Sequence, residues 1–174
     1  MCGDSSRTDP HVRASAAAGS RERGGRLRAA DNDAVPAVRR AEVVVDVVDA
    51  RELAALVSDP AAGAVVSFSG DVRDHDHGRE VTALRYEAHP TAGALVREVA
   101  AEVAARHDVV AVAVVHRVGA LGVGDCALAA AVSAVHRREA FAACADLVDT
   151  VKARLPVWKH QVFADGTNEW VNCA

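Results

Sequence analysis

Two lysines stand seven positions apart in Val151-Lys152-Ala153-Arg154-Leu155-Pro156-Val157-Trp158-Lys159. On one unbroken helix they would stack about two turns, or ~10 Å, apart. Pro156 prevents this, because its ring fixes φ and removes an N–H donor. It also disfavours the helical region for Leu155. Lys152 is therefore expected to close a helix and Lys159 to open the next segment, with Trp158 anchoring the bend. Two amines gathered by a bend can stabilise developing negative charge or donate protons. Lys152 in a last helical turn also has a plainer reading, as a charge complementing the helix dipole.

Other polar residues gather at element ends. Arg73 follows the apolar run 63–72. A lone arginine there is ordinarily a solvated charge, but Gly70 permits close backbone approach by a ligand. His136-Arg137 fall where a strand meets a helix, so they either cap that helix or serve an anion site at its N-terminus. An arginine fork matches phosphate oxygens. His75-Asp76-His77 could place two imidazoles on one side of an extended segment, yet no third ligand stands nearby and no metal is expected. His116-Arg117 end a strand before a turn, and their role stays open. Cys2, Cys126, Cys144 and Cys173 form no C-x-x-C pair. Cys126 and Cys144 read as small core residues, and a reduced, cytoplasmic protein is expected.

The elements that must position these groups follow from periodicity. Residues 42–48 read as a strand, and Asp49 with Glu52 as a capping box opening a helix to about Ser58. Strands are expected at 63–72 and 80–88, joined by a polar loop over 73–79. A helix runs from Pro90-Thr91 to about His107, with Leu95, Val99 and Val103 on its buried face. Residues 109–118 are apolar on both faces in their centre, so that strand is covered on both. A glycine-rich turn over 119–125 leads to a return strand at 126–135. A helix over 137–154 carries the stripe Ala140, Phe141, Cys144, Leu147, Val148 and Val151. Strands at 158–164 and 168–172 flank the turn Asp165-Gly166. The order β-α-β-β-α-β-β-α-β-β predicts a single α/β (α+β) domain over 41–174, with a mixed sheet and helices against it.

The chain of 174 residues is 51% hydrophobic but only 3% aromatic, so its core is built from Ala, Val and Leu. Net charge is −4. Residues 1–40 hold eight arginines against five acids, net +3, and read as a disordered basic tail, which leaves −7 for the rest. No nucleic-acid partner follows from that balance. No apolar run approaches the roughly 20 residues of a membrane span.

Residues from about 42 to 172 resemble the large, catalytic subunit of molybdopterin synthase, the MoaE type. The match rests on Gly63-Ala64-Val65-Val66-Ser67-Phe68-Ser69-Gly70-Asp71-Val72-Arg73, on Val115-His116-Arg117-Val118-Gly119, and on His136-Arg137-Arg138-Glu139-Ala140-Phe141. It is best in the stretch from Lys152 to Lys159, and Gly166 to Trp170-Val171 resembles the family's closing segment. The resemblance implies an α/β hammerhead fold and a homodimer that binds two small ubiquitin-like subunits as a heterotetramer. Each small subunit would bring a C-terminal thiocarboxylate, whose sulfur converts cyclic pyranopterin monophosphate to the molybdopterin dithiolene. It implies that Lys152 and Lys159 are catalytic and substrate-binding, and that Arg73, His136 and Arg137 bind substrate. The chain would be a sulfurtransferase of molybdenum cofactor biosynthesis that needs neither metal, cofactor nor redox cysteine. Two departures stand out. The family often places a basic then an acidic residue after the second lysine, where this chain has His160 and Gln161. Relatives often carry a further arginine past the Trp-Val pair, where this chain stops at Ala174.

Arg137 and Lys152 lie 15 residues apart on one expected helix, ~22 Å end to end. Few small ligands span that distance, so a shared substrate requires two subunits. The rivals are a non-catalytic anion- or nucleotide-binding module on this fold and a metal-dependent hydrolase using His75 and His77.

Overall fold

The strand apolar on both faces is the centre of the structure. In the computed structural model, which describes residues 37–172, Ala111–Arg117 (β5) is buried at every position from Ala111 to His116. Side chains alternate across a strand. Val112 and Val114 therefore enter one core, while Ala111, Ala113 and Val115 enter another on the opposite face. β5 lies between Ala37–Val44 (β1) and Cys126–Ala134 (β7), and Ala64–Asp71 (β2) pairs with β7 at the edge. The β1–β5 pair is parallel and the others antiparallel, which makes this the expected mixed sheet.

Three helices cover it. Ala50–Leu56 (α1) supplies Leu53 to the smaller core. Its N-cap Asp49 accepts a hydrogen bond from the Arg51 N–H at 2.8 Å, satisfying one of the otherwise orphaned donors of the first turn. Ala92–Arg106 (α2) and Arg137–Arg154 (α3) pack on the opposite face. Both are rich in alanine on their inner faces, where Ala100, Ala140 and Ala143 are fully buried. Such small side chains allow close approach of helix and sheet, and Leu147 and Val151 fill the remaining space.

A second, antiparallel sheet adjoins the first, in the order His75–Asp76 (β3), Arg79–Ala88 (β4), Val157–Phe163 (β8) and Asn168–Asn172 (β9), with Gly119–Leu121 (β6) also paired to β4. Val72, Leu84, Leu121 and Ala127 form a third small core that joins the two.

Several expectations need correction. The first strand begins at Ala37 instead of residue 42, so residues 37–40 of the expected tail are ordered as an edge strand. The rest of the tail reading lies outside the described residues, as do Cys2 and Cys173. The buried face of α2 runs through Val96, Val99 and Val103, with Leu95 only half-buried. In α3, Ala143 takes the buried place expected of Phe141, which is 63% exposed. The supposed loop at 73–79 is a hairpin. Its two turn residues, His77 and Gly78, both have positive φ (49° and 77°), as a two-residue type I′ turn demands. His77 therefore leaves the extended backbone on which two imidazoles would have shared a side. The glycine-rich turn likewise contains β6.

Candidate active site

Pro156 breaks the chain as expected. Leu155 has φ −72° and ψ 119°, extended backbone, and its N–H closes the helix by donating to the Val151 carbonyl at 2.9 Å. The bend is anchored by Leu155 and Val157, both buried, and by the His89 N–H donating to the Pro156 carbonyl at 3.0 Å. Trp158 is not the anchor, being 38% exposed. Lys152 thus hangs from the last turn of α3 and Lys159 from β8.

The two lysines line one cleft of about 300 Å³ between the first sheet, the end of α3 and the second sheet. Arg73, at the end of β2, lines it as well. So do His75, Tyr86 and His116. Gly70 also reaches the wall, but its own space is already filled: a Cβ there would lie 3.0 Å from the Phe68 ring. The glycine therefore admits Phe68 as much as any ligand. Three of the five expected site residues are thus brought together. His136 and Arg137 are not. They lie exposed at the far end of α3 and are absent from the cleft wall. His136 is the N-cap by position, but its side chain makes no capping hydrogen bond, which leaves the imidazole uncommitted to that role.

Lys159 is held from outside its own strand. Its Nζ donates to Asp76 Oδ2 at 2.9 Å, and Gln161 Nε2 donates to the same oxygen at 2.7 Å. The other Asp76 oxygen faces His77 Nδ1 at 3.2 Å and Arg73 Nη2 at 3.7 Å. Gln161 is fully buried and also donates to Glu169 Oε1 at 2.5 Å. The Gln161 and Lys159 hydrogen bonds pull the Asp76 carboxyl down to about 2, against the opposing effect of burial. Asp76 is therefore a permanent anion at any working pH.

His116 forms the floor near Lys152. It is buried and donates Nδ1–H to the Arg117 carbonyl at 2.9 Å, which fixes the tautomer with the lone pair on Nε2. Its ring stands edge-on to Tyr86, with centroids 5.2 Å apart. Burial pushes it down to about 4, the Arg117 hydrogen bond works against that, and the Lys152 charge adds to it. The histidine is thus neutral in the fold at pH 7. Unfolding frees it to bind a proton below about 6.5, so acid favours the unfolded chain. We expect the unfolding free energy from urea titration to drop as pH falls from about 6.5 toward 4, by an amount on the order of 3 kcal/mol at most. Above 6.5 this contribution is constant. A His116→Phe variant should show a flatter acid limb, and an unchanged limb would count against this assignment.

His75 and His77 turn to carboxylates on their own hairpin, Asp74 at 2.6 Å and Asp76 at 3.2 Å. Among the described residues no group of three or more His, Cys, Asp and Glu is placed to hold a metal ion. Cys144 is buried in the main core, its thiol pushed up to about 11 by burial, and Cys126 is half-buried beside Ser69.

Residues 43–154 match the sequence profile of the MoaE protein family, most of the described domain. The chain belongs to the MoaE family. The molybdopterin synthase catalytic subunit of Oryza sativa is 43% identical over 114 residues, which cover 63% of this chain and 58% of that protein. The MoaE chain thus spans less than two thirds of this relative's length. Among solved structures, molybdopterin synthase from Staphylococcus aureus superposes with a TM-score of 0.70 at 28% identity, over 76% of this chain and 96% of that one. A complex of subunits 1 and 2 of the molybdopterin-converting factor from Helicobacter pylori shares the fold, with a TM-score of 0.58 at 18% identity over 75% and 88% of the chains. The single domain of mixed sheets and three helices is therefore the family's fold.

Sequence reasoning missed Asp76, Gln161, His116 and Tyr86 as cleft residues. One signal was present: Lys159 and Gln161 are two apart on a strand and so share a face. The Asp76 contact carried none, because it joins positions 83 residues apart.

Proposed function

We propose that this chain is the catalytic subunit of a molybdopterin synthase. It would move sulfur from the thiocarboxylated C-terminus of a small ubiquitin-like subunit to cyclic pyranopterin monophosphate, twice per product. The observation that carries this reading is the convergence of Arg73, Lys152 and Lys159 on one cleft in a chain of this family. The substrate's cyclic phosphate and the partner's thiocarboxylate are both anionic. An arginine fork suits the phosphate. The lysines suit proton donation to departing oxygens and stabilisation of charge that builds on them.

Charge also argues for a second copy. The cleft wall carries Arg73, Lys152 and Lys159 against Asp71 and Asp76. That leaves little net positive charge for two anions. His136 and Arg137 of a second copy would supply more, since their own subunit holds them about 22 Å from its Lys152 by helix length. A homodimer that takes up two small subunits as a heterotetramer fits this need. A cytoplasmic location goes with the reading, supported by the free thiols Cys126 and Cys144. No helix among the described residues is long and apolar enough to cross a membrane.

The test is direct. The purified chain, incubated with a thiocarboxylated small subunit and the cyclic pterin, should yield the dithiolene product. Failure under conditions where an established synthase succeeds would reject the assignment. Substrate binding with no product formed would favour a non-catalytic anion-binding module.

A further inference from the structure

Lys159 is tied into a knot of four side chains that come from three strands. Asp76 is on β3, Lys159 and Gln161 on β8, and Glu169 on β9. A lysine amine sits on a flexible four-carbon stem, and burial of the stem alone does not aim it. Here one Asp76 oxygen holds it at 2.9 Å, with the Lys159 side chain 18% exposed and that of Asp76 12%. Asp76 is itself fixed, by pairing of β3 with β4, by the tight His77-Gly78 turn, and by the Gln161 amide at 2.7 Å.

Gln161 makes sense only as part of this arrangement. Its amide offers two N–H donors, and its contacts at this nitrogen are two carboxylates, Asp76 and Glu169. A third carboxylate at position 161 would face both and be repelled. An amide at 161 and an acid at 76 are therefore one solution to one problem: a single carboxylate beside the Lys159 amine.

We infer that Asp76 is the positioning residue of Lys159, its carboxylate held in place by the Gln161 amide. The inference deepens the sulfur-transfer reading and rests on it for the role of Lys159. It predicts that the acid and amide can be exchanged across the strands, provided Glu169 is neutralised as well.

The experiment uses the full chain in three forms: wild type, Asp76→Asn, and the transposed Asp76→Asn/Gln161→Glu/Glu169→Gln. Two quantities are read. The first is the single-turnover rate of product formation with the small subunit and cyclic pterin. The second is the acylation rate of Lys159 relative to Lys152 by an N-hydroxysuccinimide ester, measured by peptide mass spectrometry on protein without substrate. Asp76→Asn should lower the turnover rate roughly 10- to 100-fold, the usual cost of misplacing a reacting group. It should also raise the relative labelling of Lys159, as the amine leaves its carboxylate. The transposed variant should move both quantities back toward wild type. An Asp76→Asn protein with wild-type turnover and labelling overturns the inference. So does a folded transposed variant that stays at the level of Asp76→Asn. The labelling arm needs no substrate, and it judges Asp76 even if wild type proves inactive and the sulfur-transfer reading falls. If Asp76→Asn does not fold, the transposed variant decides: wild-type turnover and labelling support the inference, and a folded transposed variant that lacks them overturns it.

Discussion

Lys152→Ala is expected to leave a folded subunit that binds its substrate and makes almost no product. The lysine is exposed at the end of α3 and belongs to none of the three cores. Its removal costs the helix terminus only the charge–dipole interaction, about 0.3–1 kcal/mol. Thermal unfolding should therefore change little. Turnover should fall by roughly 10²- to 10⁴-fold, the usual worth of a positioned proton donor. Single-turnover product formation and equilibrium binding of the cyclic pterin separate the two effects. A variant with weakened binding but an intact chemical rate would assign Lys152 to substrate capture alone. Lys159 offers a contrast, because its loss also takes from the Asp76 carboxylate the amine that donates to it at 2.9 Å.

The second large effect is complementation. His136→Ala and Lys152→Ala subunits should each be inactive alone and regain activity on mixing. In a two-fold dimer each cleft would take Lys152 from one subunit and His136 from the other, so a mixed dimer contains one intact site and one doubly damaged site. With free exchange half the dimers are mixed, and about a quarter of all sites should be intact, by the same symmetry. Activity near that level, dependent on subunit exchange, is the expected result. Exchange verified by mass without recovery would show that His136 does not complete the cleft across the dimer.

How far the site could be read from the chain depended on distance along it. Pro156 acts on its immediate neighbours, so the extended Leu155 and the parting of the two lysines were legible. The double-sided burial of β5 and most of the α3 stripe follow from local periodicity and were legible too. Phe141 was not, because its stripe position is one residue off the buried face and nothing local distinguishes the two. The strands β3 and β6, of two and three residues, are too short to show a period. Their existence depends on pairing with β4. Arg39 and Arg40 hid the start of β1, since charged residues are common on edge strands and also in tails. His116 was named in a motif but its burial was invisible. It arises from the meeting of β5 with Tyr86 of the second sheet.

The contact between Asp76 and Lys159 closes a loop of 83 residues, and that between Asp76 and Gln161 one of 85. Closing such loops costs chain entropy that only the completed structure repays. Contacts of this sequence separation slow a folding reaction. The main core already includes Val157 of β8 but no residue of β3, so it can form before the hairpin brings Asp76 onto Lys159. A chain halted at that stage would already bury most of its apolar surface, yet its lysine would remain untethered. Recovery of activity after dilution from denaturant should therefore lag behind recovery of helical signal, making catalysis the last property this chain acquires.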